Sequence, residues 1–183
     1  MKPSSFVREI PITDVPGLRI GHAENEEAKT GVTVLIFDQG ATAGVDISGG
    51  GPASRETPLA SPVTADNPLN AIVLSGGSAF GLAAGDGVMR YLEEHDMGYP
   101  TGFANVPLVC QSCIYDLGMG RADIRPDAAM ATRPVFRQKA GSKMSPLCRK
   151  PFPAQLTLTK ASAAASEQAA EPLSEKSAAW SVP

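Results

Sequence analysis

No apolar run in this 183-residue chain approaches the roughly 20 residues that a helix needs to cross a bilayer, and its first residues carry no signal-peptide core. Histidine occurs twice, at His22 and His95, and cysteine three times, at Cys110, Cys113 and Cys148. That scarcity leaves the Cys110-Gln-Ser-Cys113 spacing without the second ligand pair of a structural zinc site. Three cysteines and no leader suit a reducing cytoplasm, which is the expected location. With 16 Lys plus Arg against 19 Asp plus Glu, the net charge of −3 lacks the basic excess of a nucleic-acid binder. There is no internal repeat, no G-x-G-x-x-G fingerprint and no Walker lysine. The expectation is therefore no cofactor, no metal, no nucleic-acid partner and no membrane partner.

What the chain does have is glycine in one informative place. Residues 70–74, Asn-Ala-Ile-Val-Leu, form a short apolar run that reads as a strand. Residues 79–94 then show helical spacing, with Leu82, Val88, Tyr91 and Leu92 apolar and Asp86, Arg90, Glu93 and Glu94 charged. Across this junction Gly77, Gly81 and Gly85 recur every four residues. An interior glycine costs a helix about 1 kcal/mol relative to alanine, so a row of them calls for close backbone approach, to a sheet or to a site at the helix start. The backbone N–H groups of Gly76, Gly77 and Ser78 fall where a helix dipole favours an anion or a developing oxyanion. A plain turn capped by Ser78 accounts for the same residues without a ligand.

Other candidates are weaker. Tyr115 and Asp116 read as pocket residues or as a half-buried strand end. Arg55 and Glu56 line a site or form a surface ion pair. Ser75 and Ser78 have no indicated basic partner and are not nucleophile candidates. His22 follows a turn glycine and reads as a structural hydrogen-bonder, while His95 suits a helix C-terminus. Strands are expected over 33–37, 42–47, 71–74 and 106–109, with the main helix over 79–94, so the fold class is α/β.

The block Ser75-Gly-Gly-Ser-Ala-Phe-Gly-Leu-Ala-Ala-Gly-Asp-Gly-Val88 resembles the signature of the self-cleaving aminopeptidases, which comprise L-aminopeptidase/D-esterases, β-peptidyl aminopeptidases and nylon-oligomer hydrolases. Five further pieces stand in the family's order: residues 12–22, residues 30–34, Gly49-Gly-Gly-Pro-Ala-Ser-Arg-Glu-Thr57, residues 106–109 running to Ile114-Tyr-Asp-Leu117, and Arg125-Pro-Asp127. The resemblance covers residues 10–130. It implies a four-layer α-β-β-α sandwich, of which this chain holds a part, and a precursor that cuts itself to expose an N-terminal Ser or Thr nucleophile whose α-amine acts as base. Its substrates are peptides and amino-acid amides or esters, and self-association into a homo-oligomer follows from the same likeness. Gly76, Gly77, Ser78, Tyr115 and Asp116 are then the expected binding residues. The family's nucleophile and its neighbouring lysine and asparagine match no residue here, so no catalytic residue is assigned and no activity is expected of this chain alone. Cys110-Gln-Ser-Cys113 also stands where the family has Pro-Ala-Ala.

Composition changes where the resemblance stops. Up to Met130 there are 8 Lys plus Arg against 16 Asp plus Glu; beyond it there are 8 against 3. Of 18 glycines, Gly141 alone follows Met130. The chain thus divides into residues 1–130, an aminopeptidase-like portion, and 131–183, an Ala-, Ser-, Pro- and Lys-rich tail expected to be disordered apart from a weak helix over 160–171. An ordinary disordered extension would account for the change, and so would loss of one base after Met130, which is the favoured expectation. In the restored frame, codons for 132–139 can encode part of Tyr-Ala-Ala-Cys-Phe-Ser-Ala-Lys. Those for 169–177 can encode Gly-Gly-Gly-Thr-Ala-Val-Gly-Lys-Ile, and both strings resemble what the family carries next. The remaining readings are a small binding module built on the Gly76–Ser78 turn and, less favoured, a CxxC metal or redox protein.

Overall fold

Burial alternates strictly along Thr30–Phe37 and Leu69–Ser75, and this period of two marks a sheet whose two faces meet different surroundings. The computed structural model describes residues 11–64 and 67–132. Its elements are β1 (Leu18–Asn25), β2 (Thr30–Ala41), β3 (Ser54–Arg55), β4 (Leu69–Ser75), α1 (Ala83–Glu93), β5 (Tyr99–Pro100), β6 (Asn105–Val106), β7 (Val109–Cys113) and α2 (Ala128–Ala131). Five strands form one sheet in the order β1-β2-β4-β7-β3, and β5 pairs with β6 apart from it. The fold is mixed α/β with a mostly antiparallel sheet. Only β4 and β7 run parallel, so the chain must cross over between them, and α1 lies in that crossover.

Val32, Val34 and Ile36 of β2, Ala71 and Val73 of β4 and Val109 of β7 share one face and pack with Ala84, Val88 and Leu92 of α1. Met130 and Ala131 of α2 complete this core. The register puts Ile20, Leu35, Ile72 and Cys110 side by side on the opposite face, where Ile20, Leu35 and Ile72 are half-buried. Asp127 starts α2 by accepting the Met130 N–H at 2.7 Å, a side-chain cap on an otherwise unpaired donor.

The glycine row is explained by close approach. A Cβ on Gly81 would stand 1.8 Å from the Gly76 carbonyl oxygen, and one on Gly85 would stand 2.4 Å from Gln111 Oε1. Gly77 has a different reason, a left-handed φ of 81°. The helix expected over 79–94 is in fact two segments, a 3-10 turn over Ser78–Leu82 and then α1. Ser78 does not cap it. Gly77 occupies the N-cap position and no side chain closes the helix start.

Three further expectations are corrected. Residues 42–47 form no strand: they have no pairing partner, and Val45 and Ile47 are exposed among glycines. The strand expected over 106–109 is split: Val106 ends β6, Pro107 offers no N–H to a ladder, and β7 starts afresh at Val109 and continues through Cys113. β1 was not anticipated, since its alternation is broken by Gly21, His22 and Glu24. The disorder expected from residue 131 onward does not hold for Ala131, which is buried in α2; the rest of that expectation from residue 133, with the weak helix over 160–171, lies outside the described residues.

Gly81→Ala should lower stability by about 3 kcal/mol, the upper range for overpacking, because the new methyl meets a backbone carbonyl rather than a yielding side chain. Urea denaturation followed by circular dichroism measures it; an unchanged midpoint would remove the close-approach explanation.

Candidate functional site

The parallel strands β4 and β7 end side by side at Ser75 and Cys113, and the two turns that follow them form one end of the sheet. There the sequence signals converge. Gly76 N–H donates to the Gly31 carbonyl, Ser78 N–H to the Ile114 carbonyl, and Ile114 N–H to the Ser75 carbonyl, each at 2.9 Å. Gly77 N–H donates to Asp116 Oδ1 at 2.7 Å, and Thr30 Oγ1 donates to Asp116 Oδ2 at 2.7 Å. Asp116 is 8% exposed, so this carboxylate is buried and depends on those donors. Gly76 has no room for a side chain, since a Cβ would lie 2.0 Å from Asp116 Oδ2. Arg125 and Pro126 lie over Gly77, and the Arg125 guanidinium stacks on the exposed Phe80 ring, 3.7 Å from its centroid.

Four separated sequence blocks therefore meet here: Thr30, Gly76–Ser78, Tyr115–Asp116 and Arg125–Pro126. The structure brings Asp116 into the turn but leaves Tyr115 67% exposed beside it. The three amides on which an anion site would rest are each already paired within the chain. The anion at this helix start is the protein's own Asp116, which removes the support for a free-standing binding module.

Beneath the turn, Gln111 Nε2 donates to Ser75 Oγ at 2.9 Å and to the Gly81 carbonyl at 2.8 Å, and Ser75 Oγ donates to the same carbonyl at 3.1 Å. Ser75 is thus a structural hydroxyl. Gln111 is 1% exposed and its Oε1 has no hydrogen-bond partner, an acceptor left facing the Gly85 backbone. Sequence reading missed Thr30, Gln111 and the Phe80–Arg125 stack. A glutamine within an apolar strand was the available signal for Gln111.

The CxxC reading fails on strand geometry. Cys110 and Cys113 are three apart in β7, so their side chains point to opposite faces: Cys110 Sγ reaches the Glu56 carbonyl at 3.2 Å, and Cys113 Sγ lies 3.1 Å from Ser75 Oγ. Burial pushes both thiols above their ordinary pKa, opposite to the activation of a redox cysteine. No group of metal-binding side chains occurs among the described residues. Arg55 pairs with Asp86 of α1 and not with Glu56, and the exposure of Asp86 makes this a weak contact. His95 Nδ1 meets the Tyr91 carbonyl at 2.7 Å at the end of α1.

Comparison with known proteins shows that residues 11–143 match the model of peptidase family S58. The chain belongs to peptidase family S58. The match runs past Met130. An uncharacterized aminopeptidase of Mycobacterium tuberculosis is 42% identical over 125 residues, which is 64% of this chain and 36% of that protein. Another, from Mycobacterium leprae, is 41% identical over 125 residues, 64% of this chain and 34% of that protein. A 6-aminohexanoate-oligomer endohydrolase of Agromyces is 39% identical over 124 residues, 67% of this chain and 32% of that protein. The chain spans about a third of the length of these curated relatives. Among the described residues, no helix of this family member is long and apolar enough to cross a membrane.

Replacing Asp116 by Ala leaves a buried Gly77 N–H and the Thr30 hydroxyl without their acceptor and should cost about 1–3 kcal/mol, whereas Asn retains polar partners for both and should cost less. Equal losses in denaturant titrations would refute the role of the carboxylate as the turn's acceptor. His22 supplies a pH test. Its Nδ1 lies 2.8 Å from Thr33 Oγ1, and burial holds its pKa below the ordinary value, with Glu24 opposing that shift. The unfolded chain therefore takes up a proton near pH 6.5 that the folded chain resists. Stability should decline as pH falls below about 6.5 and level off only below the folded pKa. In His22→Gln the slope of melting temperature against pH over this window should shrink; an unaltered slope would assign the effect to other groups.

Proposed function

We propose that this chain is the N-terminal portion of a peptidase-type hydrolase that releases N-terminal amino acids from peptides, amides or esters. The observation that carries this reading is the family match over residues 11–143, together with relatives whose names are aminopeptidase and oligomer endohydrolase. In this reading the end of the sheet bearing Gly76, Gly77, Ser78, Tyr115 and Asp116 forms one wall of the substrate site. Asp116 braces the turn from within, and the exposed Tyr115 faces the substrate side. The left-handed φ of 55° at Ser78 supports a functional constraint there, because Ser78, unlike the glycine before it, is held against its preference.

The fold in this reading is half of an α-β-β-α sandwich. One face of the sheet carries α1 and α2, while the other presents half-exposed Ile20, Leu35 and Ile72, the pattern of a face built to receive a second sheet. The nucleophile belongs to the family's remaining portion, so the chain alone is inactive. In this reading the change in composition after Met130 marks a reading-frame seam, with the family match ending shortly beyond it at residue 143; cytoplasmic residence and a peptide or amino-acid amide substrate belong to the same proposal.

Two measurements test it. The purified chain should release no p-nitroaniline from amino-acid p-nitroanilides, and release would overturn the assignment of the nucleophile to the missing portion. Sequencing the locus should show the family frame resuming one base away after codon 130, and the product of the base-restored gene should cleave the same substrates. An inactive restored product would overturn the peptidase reading itself.

A further inference from the structure

Arg19, Arg55 and Arg121 are each neutralised in place: Arg19 meets Asp38, Arg55 meets Asp86, and Arg121 meets both Glu27 and Asp123. Arg125 differs. Its Nε donates to the Ala122 carbonyl at 2.7 Å and its guanidinium lies on the Phe80 ring, but among the described residues no acceptor takes its two terminal nitrogens. The nearby carboxylate of Asp123 is held by Arg121 through both oxygens.

Two restraints thus fix the Arg125 side chain. Stacking on the ring sets the plane of the guanidinium, and the Nε bond sets its rotation within that plane, so much of the freedom that an arginine gives up on binding is lost before any ligand arrives. A guanidinium held in this way with both terminal nitrogens open presents two parallel N–H donors, which match the two oxygens of a carboxylate. Phe80 is 58% exposed, so the stack lies at the surface where a ligand reaches it.

Its position relates it to the glycine turn. Arg125 Cβ and Pro126 Cδ stand over Gly77, 3.3 and 3.1 Å from where a Cβ on that glycine would lie. Beside Gly77, the Ser78 N–H is taken by the Ile114 carbonyl, while the half-buried Ser78 hydroxyl has no partner among the described residues. The open donors therefore border the turn at the C-terminal ends of β4 and β7, the end at which α/β sheets generally bind ligands. A peptide residue spans about 3.5 Å, so an arginine rooted beside Gly77 meets a carboxylate within about two residues of a bond held at the turn.

The geometry points to a carboxylate subsite: Arg125, laid on Phe80, receives the free C-terminal carboxylate of a short peptide whose cleavable bond lies against the Gly76–Ser78 turn. This rests on the hydrolase reading above and narrows its substrates, favouring short free-acid peptides over the corresponding amides and esters, which carry no charge there.

Nuclear magnetic resonance titration of the full 183-residue chain tests it, with the Arg125 Nε–H and the Gly77 and Ser78 amides as reporters and alanyl-alanine, its C-terminal amide and acetate as probes. Alanyl-alanine should bind about fivefold more tightly than its amide, the range of a half-exposed ion pair, and more tightly than acetate. Arg125→Gln should erase the preference for the acid. Arg125→Lys should lose most of it, since an ammonium offers no pair of parallel donors, and Phe80→Leu should reduce it by removing the ring that holds the plane. Equal binding of acid and amide, a preference that survives Arg125→Gln, acetate binding as tightly as the dipeptide, or no saturable shift with any probe would each overturn the subsite. The base-restored gene product separates this failure from failure of the hydrolase reading. Absence of the acid preference in a chain whose restored product cleaves peptides rejects the subsite alone, whereas a dipeptide bound at Arg125 and left uncleaved by that product rejects the hydrolase and leaves the subsite standing.

Discussion

The contact on which the rest depends is a close approach of backbone to backbone: the 3-10 turn at Ser78–Leu82 folds back so tightly on the end of β4 that a Cβ on Gly81 would meet the Gly76 carbonyl. Gly81 makes this possible, and the Gln111 amide with the Ser75 hydroxyl exploits it by binding the Gly81 carbonyl directly. In apolar surroundings an unpaired carbonyl there would be costly, so the two donors do more than add bonds. They fix where α1 begins and thereby how Val88 and Leu92 meet β2 and β4.

Asp116 closes the same corner from the other side. Its two oxygens take one backbone and one side-chain donor from segments 39 and 86 residues away in sequence, so a single carboxylate joins β2, the glycine turn and the loop after β7. A helix start generally attracts anions, and here the chain supplies its own. Four of the separated motifs thus meet in one braced corner at the ends of two parallel strands.

Much of this was legible in the sequence. The run at 70–74, the strand at 33–37 and the helical spacing of 79–94 were readable because each has a clean period, and the glycine row announced close approach before any partner was known. The partners themselves were not readable. Gln111 reaches Gly81 across 30 residues, and nothing local marks its amide as the one that faces the turn. The same limit misled the reading of Cys110 and Cys113: spacing suggested joint ligation, but the strand that starts after Pro107 sends them to opposite faces. At Gly76–Ser78 the general rule for helix starts was correct about charge, while the source of the charge lay 39 residues downstream of Gly77.

The parallel pairing of β4 with β7 also shapes the order in which this chain acquires structure. β1 and β2 meet through a short turn and can zip together as soon as both leave the ribosome, and β4 joins β2 after the long connection over residues 42–68. β7 must wait for the whole crossover, including α1, before its ladder to β4 can close. Non-local pairing of that kind is slow and exposes apolar strands meanwhile. The interval between synthesis of Ser75 and arrival of Cys113 is therefore when this sheet is most open to chaperones and to misplaced partners.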